Sequence, residues 1–155
     1  MMKTNANGDE CTKPFRLKVR FDYKGKSKTS RFPFKSPSVE QVAEQIREQK
    51  VSMLRNVPIQ GIQIQDIDLS SDIYTVYDDI SGNSIGYAPV VINFHADSIE
   101  DAVLFIMKEE FRKVEVIEPD QVTLNKIEIE RVMFRVNEEL KAYKAFLEKK
   151  LEYWK

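Results

Sequence analysis

Phe15–Lys35, FRLKVRFDYKGKSKTSRFPFK, carries two patterns at once. Its odd positions Phe15, Leu17, Val19, Phe21 and Tyr23 are apolar, and Arg16, Lys18 and Arg20 between them are basic. That period of two belongs to a strand with one buried face and one wet face. Lys24 and Gly25 supply turn chemistry, and Lys26, Lys28 and Arg31 lead to a second apolar pair, Phe32 and Phe34. The stretch therefore predicts a hairpin, apolar beneath and positive above. From Lys13 to Lys35 there are nine Lys or Arg and one acid, Asp22, a local balance of +8 in a chain whose total is −1. Something negative must answer that charge.

Outward from the hairpin, residues 1–14 mix Asn, Gly, Asp, Thr, Lys and Pro without periodicity and are expected to form a mobile leader. Downstream, Ser38 with Gln41 makes a capping box for a short helix to about Lys50, with Val39, Val42, Ala43 and Ile46 as its apolar stripe. Ile59 to Leu69 reads as an extended segment with a bulge or bend near Asp66. Ile73–Ile80 is a further strand, Ser81-Gly82-Asn83 a turn, and Tyr87–Phe94 another strand. Ser98 and Asp101 cap a second helix through Ile99, Ala102, Val103, Ile106 and Met107. A last strand, Lys113–Ile117, stops before Pro119. The two strand-to-capped-helix units match at a shift of 60, Ser38 on Ser98 and Ile46 on Ile106, a short echo that shared architecture explains more readily than duplication.

Beyond Asn125 the character changes. Ile129, Met133, Val136, Leu140, Tyr143, Leu147 and Trp154 follow one another at 4, 3, 4, 3, 4 and 7 residues, a heptad seam. Residues 120–136 are rich in strand formers and fit either strand or helix, whereas the part beyond Asn137 predicts helix. The seam packs on its own domain or on a second copy, with Val136, Leu140, Tyr143, Leu147 and Trp154 as the dimerisation residues in the second case.

Composition narrows the chemistry. The chain has 155 residues, 42% of them apolar and 32% charged, enough for one core with a well-solvated surface. The one cysteine, Cys11, forms no intrachain disulfide, and no apolar run approaches the roughly 18 residues of a membrane span, so a cytosolic or nuclear protein is expected. The single histidine, His95, is expected in an exposed loop at a strand end and cannot build a His-rich metal site. Asp66, Asp68, Asp72, Asp78 and Asp79 lack the glycine-centred spacing of a calcium loop and fit solvated edges and turns. No phosphate-binding loop, nucleophile elbow or Cys pair is present. The expectation is a non-catalytic chain without cofactor or metal. Nucleic acid could neutralise the basic hairpin, but single-strand readers expose aromatics for stacking, and here Phe15, Phe21 and Tyr23 alternate away from the basic side chains.

LKVRFDYKGKSKTSRFPFKSPSVEQVAEQI resembles the opening of a Phox/Bem homology domain, a ubiquitin-like β-grasp module whose basic first hairpin precedes a short helix. YDDISGNSIGYAPVVINFHADSIEDAVLFI is similar to that family's acidic segment. The resemblance covers about Phe15 to Ile117. It implies that Arg20 occupies the first-strand basic position, that Lys28 and Arg31 belong to the second-strand cluster, and that Asp78, Asp79, Asp97 and Asp101 form an acidic face. Arg20 stands where the family has lysine, and Asn83 where another acid is usual. Such domains pair basic face to acidic face.

The expected architecture is α+β, a mixed sheet with two helices in ββαββαβ order, β-grasp-like, over residues 15–118, followed by a helical extension over 119–155. The expected function is a protein-docking module. Arg16, Lys18, Arg20, Lys26, Lys28 and Arg31 would meet an acidic protein surface or a second copy, with nucleic acid as the alternative partner and no membrane.

Overall fold

The computed structural model describes residues 15–27 and 36–153, so the leader, Lys28, Arg31, Phe32, Phe34 and Trp154 lie outside the described residues. Its elements are β1 (Phe15–Gly25), α1 (Val39–Asn56), β2 (Ile62–Asp68), β3 (Tyr74–Asp78), β4 (Asn83–Ala96), α2 (Ile99–Ile106), β5 (Phe111–Glu118) and α3 (Lys126–Tyr153). The class is α+β with an antiparallel five-stranded sheet.

The alternation in β1 is realised: Leu17, Val19, Phe21 and Tyr23 are buried, and Arg16, Lys18 and Lys24 are exposed on the other face. Its partners are not the expected ones. β4 pairs with β1 from Phe15↔Ala96 to Gly25↔Gly86, and β5 occupies the opposite edge from Arg16↔Glu118 to Phe21↔Phe111. The Asp22 amide then donates to the Glu110 carbonyl at 2.9 Å. Over Arg16–Asp22 both edges of β1 are hydrogen-bonded, so β1 is an interior strand there; the expected return arm of the hairpin, Lys28 to Lys35, lies outside the described residues. Among the described residues the order runs β1-α1-β2-β3-β4-α2-β5-α3, which differs from the expected ββαββαβ.

β2 and β3 share the edge of β4 that faces away from β1, pairing with Val91–Ala96 and Asn83–Tyr87 respectively. Counted as one interrupted strand, they give a β-α-β-β-α-β connection with strand order β2-β4-β1-β5, a split βαβ arrangement. A register shift between Ile64 and Asp66 is the predicted bulge. The break between β2 and β3 is held by buried Arg47 of α1, whose guanidinium donates to the Pro89 carbonyl at 3.1 Å and to the Ser71 carbonyl at 3.5 Å. Gly82, at φ 71°, closes the β3–β4 hairpin.

Both helices cover one face of the sheet. α1 starts at the predicted box, Ser38 Oγ accepting from the Gln41 amide and Gln41 Oε1 from the Ser38 amide. It runs past Lys50 because Val51 and Leu54 extend its apolar stripe, and it ends where Pro58 forces Val57 into extended backbone. α2 begins at Ser98, which accepts from the Asp101 amide. Phe105 of α2 sets its ring edge-on against Phe94 at 4.8 Å and Phe21 at 6.0 Å, joining α2 to the two interior strands.

α1 crosses the sheet at the Gly25–Gly86 pair. A Cβ on Gly86 would lie 2.7 Å from the Val39 carbonyl carbon, and one on Gly25 2.7 Å from the Ala43 Cα. Both obstacles are helix backbone and cannot rotate aside. Gly86→Ala is expected to lower stability by about 1–3 kcal/mol in urea unfolding with an unchanged slope; a neutral result would mean that the helix does not seat on this pair.

Candidate functional site

The sheet face away from α1 and α2 is open, and register places its residues in rows across four strands. Gln63, His95, Arg16 and Glu118 form one row; Asp66, Asn93, Lys18 and Glu115 the next; Asp68, Val91, Arg20 and Lys113 the third. The basic residues of β1 thus run along the middle, with acids on the outer strands. His95 is a half-buried member of this face within β4, not a loop residue.

Most of the answer to the basic strand is therefore supplied by its neighbours. Arg16, Lys18, Arg20, Lys24, Arg112 and Lys113 share the face with Asp22, Asp66, Asp68, Glu115 and Glu118, so among the described residues this face is near neutral; Lys13, Lys28, Arg31 and Lys35 of the linear +8 stretch lie outside the described residues. Lys113 bonds Glu115 at 2.7 Å, and this bond, supplemented by the charge of Lys18, holds Glu115 below the usual carboxylate range. Asp68 is held low chiefly by Ser70, with a smaller part from Lys18.

The one acid of the basic stretch is the best-buried charge. Asp22 is 2% exposed and accepts from Arg20 Nε at 2.8 Å, from Arg20 Nη2 at 3.2 Å and from the Tyr74 hydroxyl, with Arg112 Nε 3.6 Å away. Tyr74 stacks on Tyr87 at 5.2 Å, and the Arg112 guanidinium lies 5.2 Å from the centroid of the Tyr87 ring. A carboxylate so fully engaged is a positioning group: it gathers two guanidiniums and a phenol around one buried charge. Tyr74 and Tyr87 went unmarked in the sequence because their shared face follows from the β3–β4 register, which is not local. They also remove the sequence argument that aromatics avoid the basic face.

The predicted basic residues divide three ways. Arg16 and Lys18 are exposed on the open face, Arg20 is committed to Asp22, and Lys26 is exposed just past the end of β1. The predicted acids are not brought together. Asp78 and Asp79 lie at the β3–β4 turn, where Asp78 accepts from the Ile80 amide at 3.1 Å. Asp97 and Asp101 lie at the start of α2, beyond the far end of β4, ~40 Å away at a rise of ~3.3 Å per residue. Asp101 is occupied by Ser98 in the cap. Among the described residues no three His, Cys, Asp or Glu side chains are grouped so as to hold a metal ion, and no helix is long and apolar enough to cross a membrane.

A groove of about 490 Å³ lies on the other side of the sheet edge, between Leu54–Ile59 at the end of α1 and Ile62–Ile67 of β2. Asp66 is the one residue it shares with the charged rows.

α3 is continuous from Lys126, which settles residues 126–136 as helix. The missed signal was Asn125-x-x-Glu128: Asn125 Oδ1 accepts from the Glu128 amide at 2.8 Å and Glu128 Oε2 from the Asn125 amide at 3.1 Å, a capping box. α3 packs on α2, with Arg135 paired to Glu100 at 3.3 Å. Val136 is half-buried there, while Leu140, Tyr143 and Leu147 stand exposed.

Two phenols give this geometry a pH signature. Tyr74 titrates above its ordinary 10.0 through burial first and its bond to Asp22 second; Tyr23, in the core, is raised further by burial and by Glu110. A raised folded pKa contributes stability that is complete below the unfolded value and lost as pH climbs through the folded one. The thermal midpoint is therefore expected to hold to about pH 9 and to fall above about pH 10. Tyr74→Phe should cost about 1 kcal/mol at neutral pH and remove part of the alkaline loss; an unaltered alkaline profile in that variant would contradict the Tyr74–Asp22 bond. Comparison of the chain with protein-family models, curated proteins and solved structures returns no match.

Proposed function

We propose that this chain is a non-catalytic protein-docking module with two contact surfaces, the open sheet face and α3. The carrying observation is the basic line Arg16, Lys18 and Lys24 along the interior strand, exposed and flanked by outer-strand acids. A narrow acidic segment lying along β1 meets cations and keeps clear of Asp66 and Asp68, two strands away. A broad polyanion would meet those acids as well. Charge-assisted contacts of this kind set orientation and encounter rate more than raw affinity. In this reading the partner is an acidic protein surface, and the Phox/Bem-like pairing remains the mode of contact for the basic side. A docking protein of this kind works in the cytoplasm or nucleus.

The test is charge reversal that spares the fold. Arg16→Glu, Lys18→Glu and Lys24→Glu together are expected to weaken binding of an Asp/Glu-rich peptide by more than about tenfold at low salt, with the difference shrinking at high salt and thermal stability retained. Arg20→Glu should instead destabilise the domain, since it sets a second carboxylate against Asp22. Equal peptide binding by the triple variant and the unaltered chain refutes the docking face.

A second reading has one observation in its favour, the Tyr74–Tyr87 stack beside Arg112 and Arg20. Aromatic and cationic groups on an open sheet face are the elements of single-strand nucleic-acid recognition. Salt-sensitive binding of a single-stranded oligonucleotide, lost in Tyr87→Ala, would favour it over the protein partner.

α3 serves self-association in the same proposal. Truncation after Val136 keeps the Arg135–Glu100 pair and removes the exposed seam. Light scattering is expected to show a higher mass for the full chain than for the truncated one; identical masses would remove α3 from the function.

A further inference from the structure

α3 is 28 residues long, about 42 Å at 1.5 Å per residue, and its seam is uncovered over most of that length. Met133 is 67% exposed and Leu140 57%, and Tyr143 and Leu147 are exposed beside them. In heptad terms Met133, Leu140 and Leu147 are a positions, and Ile129, Val136, Tyr143 and Lys150 are d positions. The flanks are then Val132, Glu139 and Phe146 at g, and Glu130, Asn137, Lys144 and Leu151 at e.

From these flanks we infer that the occupant of the seam is α3 of a second copy, parallel and in register. The inference rests on the self-association proposed above and adds its direction. In a parallel pair each g residue meets the e residue five positions on in the other chain. Glu139 then meets Lys144 of the second copy, Phe146 meets Leu151 and Val132 meets Asn137, each twice by symmetry. In the antiparallel register that layers Leu140 on Tyr143, Glu139 faces Phe146 and Lys144 faces Asn137, so no ion pair forms and an apolar ring meets a carboxylate. The antiparallel register one heptad away that layers Leu140 on Val136 overlaps as far and pairs Glu130 with Lys144, but it sets Glu139 against Glu139, and the shift in the other direction sets Lys144 against Lys144. The parallel pair forms its ion pairs with no like charges opposed across the g and e flanks.

Side-chain positions in the single chain agree with this choice. Lys144 is well exposed, and its nearest intrachain acid, Glu148, is at 4.0 Å, so it is free to reach across. Lys150 is the one charged d residue, and its ammonium is turned out over the Phe146 ring at 4.8 Å, which leaves its alkyl stem toward the seam. α2 meets α3 at Arg135 through its pair with Glu100, and the seam stays open at Ile129 and Met133.

The experiment is disulfide trapping in the full chain with Cys11→Ser as background. Tyr143→Cys alone is expected to give a covalent dimer on air oxidation, as is Leu140→Cys alone. Cross-linking that is faster in a mixture of the two variants than in either alone means the antiparallel layer and overturns the inference. Charge supplies the independent arm: Glu139→Lys and Lys144→Glu should each weaken dimerisation by about tenfold. The double exchange should restore it, and failure to restore overturns the register. A full chain that sediments as a monomer at all concentrations removes self-association itself; a dimer that fails the trapping and exchange arms removes only the parallel, in-register arrangement.

Discussion

β1 is hydrogen-bonded along both edges, by β4 over its whole length and by β5 over half of it, while its two faces differ completely. An interior strand ordinarily gives up its independence to its neighbours, and here that has a particular result. The buried face must take Leu17, Val19, Phe21 and Tyr23 against Phe94, Phe105 and α1, because a slip of one residue would send Arg16, Lys18 and Arg20 into the core. The register of β1 thus fixes the rows of the open face, and through them which acids stand beside which bases. The Gly25–Gly86 pair and the α1 backbone above it fix the same register from the other side.

The charge of the basic stretch changes meaning once that register is known. A linear sum treats Lys13 to Lys35 as one object, but the fold divides it. Arg20 is spent on Asp22, Lys18 acts on Asp68 and Glu115, and Arg16 lies two strands from Gln63 and one from Glu118. Among the described residues, what remains for a partner is Lys26 and a narrow line on β1. A neutral total with an internal stripe favours orientation over strength, since flanking acids penalise any misaligned anionic ligand.

Local chemistry was legible in the sequence where a few neighbouring residues decide the outcome. The Ser38–Gln41 and Ser98–Asp101 caps, the bulge near Asp66, the turn at Gly82 and the heptad helix beyond Asn137 all follow from residues within one or two turns of each other. The pairing of β1 did not, because Phe15 and Ala96 are brought together by packing that no short window contains. Lys24-Gly25 looks like a turn by composition, whereas both residues belong to β1 and Gly25 is needed to admit the α1 backbone. The acid cluster met the same limit: Asp78 and Asp97 look close in sequence, but the 14 residues of β4 between them are fully extended. Arg47 was passed over because a charged residue on a helix reads as solvated, and its role as clamp on Ser71 and Pro89 depends on a strand break elsewhere.

The two surfaces are also mechanically separate, which bears on how they combine. The open face is built from β1, β2, β4 and β5, while α3 meets the domain along α2, on the helical side of the sheet. Among the described residues the Glu100–Arg135 pair and a few half-buried side chains hold α3 there, and a partly exposed ion pair contributes at most about 1 kcal/mol. Occupying α3 therefore leaves the charged rows untouched. In the proposed dimer, two copies joined through α3 would each present an intact face, and an acidic partner with two segments would engage both. Linked engagement multiplies modest single-site affinities when the spacing fits, so such a dimer would gain selectivity by duplication of the chain, without any added contact on the sheet.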